Sequence, residues 1–188
     1  MIRLAALFAI FVFAGWSFAN DNAFHSAISS RSNSINTIAK ARENELEDWM
    51  LVGRAKLRVL FWEIYESELY TPSGKWLDQA PFRLVLTYLR EVSTEQLVKE
   101  TAKVWRAQDL YNSRSEKWLN YLLDIWPDVS PGDTLTFQVN PDNDSVFFFN
   151  GQQIGTVADT EFGRRFGGIW LAENSPKPIL RNQLLGHE

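Results

Sequence analysis

The side chains able to do chemistry are few, and most are arginines, tyrosines and carboxylates in the first half of the folded part. Arg54 and Arg58 stand in a run where Ala55, Leu57, Val59 and Phe61 alternate with Lys56 and Arg58. Period-two alternation predicts a half-buried strand. An arginine there is either a solvated edge charge or, turned into a cleft, a clamp for a carboxylate or enolate. Tyr65 and Trp105 could wall such a pocket, or fill a core with the phenol hydrogen-bonded. Glu63, Glu66 and Glu68 lie close by; Glu66 and Glu68 share one strand face, which reads as an outward polar face ahead of an acid/base pair. Arg164-Arg165 offers an anion site or a solvated helix face.

Other chemistries find no support. The two histidines are His25, in a polar stretch before the domain, and His187, beside the C-terminus, so no helix carries paired zinc ligands and no imidazole is placed to activate a serine. There is no Gly-x-Ser-x-Gly elbow. Gly163, Gly167 and Gly168 sit inside an aromatic helical pattern, where they permit close packing, and not in a phosphate loop after a strand. With no cysteine, disulfides, thiolate metal sites and cysteine nucleophiles are all excluded. No cofactor and no metal is expected.

The elements that must position these groups are legible in order. A strand over Ala55–Phe61 is followed by an extended segment from Glu63 to Tyr70, a turn at Thr71-Pro72-Ser73-Gly74, and a third strand with Phe82, Leu84, Leu86 and Tyr88. Ser93 with Gln96 makes a capping box for a helix whose inward stripe is Leu97, Thr101, Val104 and Trp105. Ser113 or Ser115 opens a second helix carrying Trp118, Leu119, Leu122, Ile125 and Trp126 until Pro127 stops it. Ser130-Pro131-Gly132-Asp133 turns the chain into a strand with Leu135, Phe137 and Val139 inward. Val146–Phe149 is apolar on both faces, and Asn150-Gly151 then predicts a type I′ hairpin returning as Ile154–Val157. Asp159 or Thr160 caps a helix with Phe162, Phe166, Ile169 and Trp170 on one face, and a short last helix holds Leu180, Leu184 and Leu185. Strands, two helices, strands and helices again give an α+β class with a largely antiparallel sheet in one domain, residues 49–188.

Ahead of that domain, Met1-Ile2-Arg3, the apolar run Leu4–Phe13 and the small residues of Ser17-Phe18-Ala19 read as a secretory signal peptide, residues 1–19, cleaved after Ala19. The run is too short to span comfortably, since a span takes about 20 apolar residues, so no membrane span is expected in the mature form. Residues 20–48 read as a polar linker. An exported chain without disulfides points to a bacterial periplasm. A formal charge of −4 shows no basic excess, so nucleic acid is not an expected partner. Aromatics reach 14%, and seven of the eight tryptophans lie beyond the signal peptide, enough to line a ligand site as well as a core.

Several local signatures together resemble the chalcone isomerase-like family in its bacterial exported branch. They are Val52-Gly53 with Leu57-Arg58, the strand Ile64-Tyr65-Glu66-Ser67-Glu68-Leu69-Tyr70, Trp118 ahead of Pro127-Asp128-Val129, Pro131-Gly132-Asp133, Asn150-Gly151 with Ile154-Gly155, and Phe162, Phe166 and Ile169-Trp170-Leu171. The likeness runs from about Trp49 to Leu185. It implies a curved, largely antiparallel sheet with helices packed on one face. It also implies a cleft between sheet and helices, which holds a flavonoid in the plant enzymes and a fatty acid in other members, with an arginine for the carboxylate. The pocket arginine corresponds to Arg54 or Arg58. Aligning on Tyr70 puts Tyr65 where the plant strand has a catalytic threonine, and Tyr111-Asn112 is adjacent in sequence where the plant tyrosine and asparagine are spaced along a helix, so chalcone cyclisation is not expected. The resulting expectation is a non-catalytic binder of a fatty acid or other apolar carboxylate through Arg54, Arg58, Tyr65 and Trp105. The alternatives are an isomerase or lyase acting on an enone, and an envelope protein-interaction module.

Overall fold

A computed structural model describes residues 49–187. The expected signal peptide, the polar linker and His25 lie outside the described residues. Six strands follow one another across a single antiparallel sheet in sequence order. They are β1 (Met50–Val59), β2 (Trp62–Thr71), β3 (Phe82–Tyr88), β4 (Thr134–Val139), β5 (Ser145–Phe149) and β6 (Gln152–Val157). Helices α1 (Thr94–Ala107) and α2 (Ser113–Ile125) fill the β3–β4 connection; α3 (Thr160–Leu171) and α4 (Pro178–Leu184) close the chain. This is the α+β arrangement the sequence order predicts.

Strand parity decides the two faces. Register carries one row through Ala55, Ser67, Leu86 and Leu135, and the next through Gly53, Leu69, Leu84, Phe137 and Phe147. These rows meet the helices and are buried, apart from half-buried Gly53. The opposite rows carry Arg54, Glu68, Val85 and Thr136, and Lys56, Glu66, Thr87 and Thr134. One face is therefore core and the other is largely polar, as a one-sided antiparallel sheet requires. Bulges interrupt the register between Leu51 and Gly53, between Leu57 and Arg58, and between Phe147 and Phe148, which bends the strands at the two ends of the sheet.

The core is an aromatic cluster centred on α3. Phe162 and Phe166 stack at 5.4 Å between ring centroids, Phe166 meets Phe137 at 4.7 Å, and Trp105 of α1 stands edge-on to Trp118 of α2 at 5.9 Å. Helix α3 reaches the sheet this closely because of two glycines. A Cβ on Gly163 would lie 3.0 Å from Ser145 Oγ, and one on Gly167 would lie 2.7 Å from Phe82 Cζ. On the other side of the sheet's centre, α4 ends against β1 at Gly53, where a Cβ would come within 2.6 Å of the Leu184 carbonyl oxygen.

Several local expectations shift by a residue or a face. The first strand stops at Val59, and Leu60-Phe61 forms a tight turn with Leu60 at φ 55°. Val59 and Phe61 are therefore exposed and not part of the inward row, because the alternation runs on past the point where the chain reverses. The second helix is capped by Asn112, whose side chain accepts from Arg114 N and Ser115 N, while Ser115 Oγ accepts from Asn112 N. Trp126 lies just past that helix in an extended conformation. In α1 the buried residues are Thr94, Val98, Thr101, Ala102 and Trp105, so the inward stripe is rotated from Leu97 and Val104 towards Val98 and Ala102. Asn150-Gly151 does take positive φ at both positions, 49° and 80°, as a type I′ turn needs.

Candidate functional site

The four residues singled out in the sequence do not converge. Arg54 and Arg58 project from the face of β1 opposite the helices, with side chains 67% and 65% exposed, and each is held by the carboxylate across the strand pair, Arg54 by Glu68 and Arg58 by Glu63. Lys56 bridges Glu63 at 3.1 Å and Glu66 at 2.9 Å in the same row. The expected approach of either arginine to a cleft between sheet and helices is thus not what the structure places there: strand parity turns both guanidiniums the other way. With Glu66 and Glu68, they form a surface ladder of cross-strand ion pairs along an edge strand.

Tyr65 and Trp105 are on the helix side, and both are bonded within the core. Trp170 Nε1 donates to the Tyr65 hydroxyl at 2.9 Å, and Tyr88 stands edge-on to the Tyr65 ring at 5.8 Å. Part of the Tyr65 ring remains accessible while its hydroxyl is enclosed. Burial pushes this phenol up to about 12, with the Trp170 hydrogen bond pulling the other way. Burial pushes Tyr88 up as well, and the neighbouring Tyr65 adds to it. Trp105 is fully buried and donates from Nε1 to the Arg165 carbonyl at 3.2 Å. These phenols hold their protons at neutral pH and serve packing.

A sizeable concavity lies elsewhere. It is an open groove of about 1300 Å³ between α3, the β2–β3 connection and the C-terminal end of α4. Its apolar wall comes from Trp76, Leu77, Phe82, Leu171 and Leu185. Trp76 packs edge-on to Phe82 at 5.3 Å, which fixes the loop against the start of β3. Gly167 and Gly168 of α3 also line the groove. Three guanidiniums stand at the groove. Arg165 is engaged, donating to Glu161 at 2.9 Å and contacting the Leu110 carbonyl. Arg181 is half-buried, lines the groove and donates from Nε to the Leu171 carbonyl at 2.9 Å. Arg164 is exposed and has no carboxylate partner among the described residues.

Chemically the groove sets apolar side chains beside three guanidiniums. Asp78, Glu161, Glu173 and His187 also line it, yet no pair of them is joined by a hydrogen bond. Among the described residues no group of three or more histidines and carboxylates could hold a metal ion. Sequence reasoning weighed Arg164-Arg165 as an anion site or a solvated face; it had no signal for Arg181 or Trp76, because the groove joins segments that are far apart in the chain. Tyr111 and Asn112 contribute nothing to it: Tyr111 donates to Glu116 at 3.2 Å and Asn112 caps α2.

The fold and the groove together define a small α+β protein with an open antiparallel sheet, helices on one face and an apolar concavity beside the central helix. The chain belongs to the chalcone isomerase-like family, whose model matches residues 34–186. It is similar to an uncharacterised protein of Haemophilus influenzae, 27% identical over 139 residues, which cover 73% of this chain and 68% of that one. In structure it is similar to an Arabidopsis thaliana fatty-acid binding protein, with a TM-score of 0.58 over 74% of this chain and 87% of that chain at 11% identity, a likeness that establishes the fold.

Proposed function

We propose that this protein is a non-catalytic carrier of a long apolar carboxylate, held in the groove beside α3. The observation that carries the reading is the composition of that groove: an apolar wall of Trp76, Phe82, Leu171 and Leu185 with Arg164 and Arg181 at its margin. Its volume of about 1300 Å³ exceeds the roughly 300–1,000 Å³ usual for small-ligand pockets, which suits a flexible tail. Family membership and a fatty-acid binding relative of the same fold support the class of ligand. The enone isomerase reading finds no assembled machinery: the Tyr65 hydroxyl is turned to Trp170, and Arg54 and Arg58 stand across the sheet from it. In the same proposal the chain is exported, losing residues 1–19, and works in a periplasm.

A titration of the chain from Asn20 onward with a fluorescent fatty acid tests this. Hydrogen bonds to a charged group contribute roughly 1.5–3 kcal/mol, so Arg164→Ala and Arg181→Ala should each weaken binding about ten- to hundredfold. Arg54→Ala and Arg58→Ala should leave it unchanged. Equal affinity in all four variants would end the groove assignment, and loss confined to Arg54→Ala or Arg58→Ala would move the site to the outer face of the sheet.

A further inference from the structure

The β1–β2 hairpin ends in four consecutive apolar residues, Val59-Leu60-Phe61-Trp62, of which Leu60 is 86% and Phe61 97% exposed. Val59 and Trp62 pair across the strands, so Leu60 and Phe61 are the whole turn. Such a turn normally carries glycine, asparagine or aspartate, because positive φ costs a branched or bulky residue energy. Here Leu60 holds φ 55°. A turn that accepts both backbone strain and full exposure of two large apolar side chains breaks two local rules at once, which marks a functional position.

We propose that this tip is a membrane-surface anchor that inserts into the headgroup and upper acyl region of a lipid bilayer. Exposure favours a lipid partner: Leu60 and Phe61 are almost wholly in solvent, and a fluid interface needs no preformed pocket. Composition favours it too, since tryptophan and phenylalanine concentrate at bilayer interfaces. Charge is complementary to phosphate headgroups. The Arg90 guanidinium lies 4.0 Å over the Trp62 ring and has no carboxylate partner among the described residues, while Glu63, next to Trp62 in the chain, is already bound by Arg58 and Lys56. With Leu60 and Phe61 inserted, Arg90 sits one residue pair behind them, at the depth of the phosphates. The register shift between Leu57 and Arg58 interrupts the ladder just before the tip, and a bulge of this kind bends its strand. This surface is separate from the groove. The tip precedes β2 and the Trp76 loop follows it, and ten residues of strand span roughly 33 Å.

The test is co-sedimentation of the chain from Asn20 onward, which contains every described element, with vesicles of phosphatidylcholine alone or with phosphatidylglycerol added. The reference variant is Leu60→Gly with Phe61→Ser, which relieves the positive φ and should keep the thermal midpoint of the parent. The parent should pellet with both vesicle types, the double variant at least tenfold less, and Arg90→Gln should lose affinity for the phosphatidylglycerol vesicles specifically. A parent that stays in the supernatant overturns the proposal, as does a double variant that binds like the parent. A concentration-dependent dimer that the double variant abolishes, seen by sedimentation equilibrium without lipid, would instead assign the tip to a second copy of this chain and likewise overturn it.

Discussion

Trp170 and Tyr65 are 105 positions apart and meet through one enclosed hydrogen bond. Removing the donor leaves a buried hydroxyl with nothing to accept from, a cost of about 1–3 kcal/mol. Trp170→Phe should therefore lower the thermal midpoint by several degrees, and Tyr65→Phe with Trp170→Phe together should cost less than the sum of the two, read by a double-mutant cycle in urea. The same phenol sets a pH limit. Its folded value of about 12 stands above the ordinary tyrosine value of about 10. The unfolded chain therefore releases this proton first. The contribution is fully present below about pH 10 and is lost as pH rises towards about 12, with Tyr88, raised in the same direction, adding to the loss. Tyrosine ionisation followed by ultraviolet absorbance should lag for these two rings until the fold gives way. Ionisation of Tyr65 and Tyr88 near pH 10, the ordinary tyrosine range, with the fold intact, would refute the enclosed geometry.

Helix α3 is the element on which the core depends, and its glycines can be told apart. Gly167 faces Phe82, which is pinned edge-on by Trp76 at 5.3 Å and by Phe137 at 5.8 Å, so the ring cannot yield to an added methyl. Overpacking of this kind costs about 1–3 kcal/mol, more than the roughly 1 kcal/mol that alanine gains in helix propensity, and Gly167→Ala should destabilise. A Cβ on Gly168 would meet only the Ala172 side chain at an ordinary 3.5 Å. There the propensity gain wins, and Gly168→Ala should raise the midpoint; two opposite shifts in thermal unfolding check the pair. At this scale the sequence was readable wherever chemistry is local. Ser93 with Gln96, Asn150-Gly151 and Asp159 each declare a cap or turn through their own side chain or φ preference. The Leu60-Phe61 turn carries no such signal, since its residues continue the alternation of the strand before it. Alternation did place Arg54 and Arg58 opposite the apolar row; what it could not show is that the concavity lies at the far end of the sheet. Three segments, around residues 76–80, 164–172 and 181–187, build that groove, and no short window of sequence contains more than one of them.

The domain formed by the described residues has two distinct ends. The groove opens where β2 ends and β3 begins, walled by the Trp76 loop, α3 and α4; the apolar hairpin tip stands at the opposite end of β2. Between them, one face of the sheet is packed with aromatic side chains and the other carries cross-strand ion pairs between β1 and β2. No described helix is long and apolar enough to cross a membrane, and contact with a lipid surface would rest on the hairpin. Ligand capture at one end and surface contact at the other are separable, and each has its own variants. The central claim concerns the groove. It is tested most directly by native mass spectrometry of the protein exported from a bacterial host and purified without added lipid, followed by solvent extraction of whatever it carries. The account predicts a chain beginning at Asn20 with one apolar carboxylate bound, absent from Arg164→Ala combined with Arg181→Ala. A clean apo protein that also fails to take up added palmitate or oleate would contradict it.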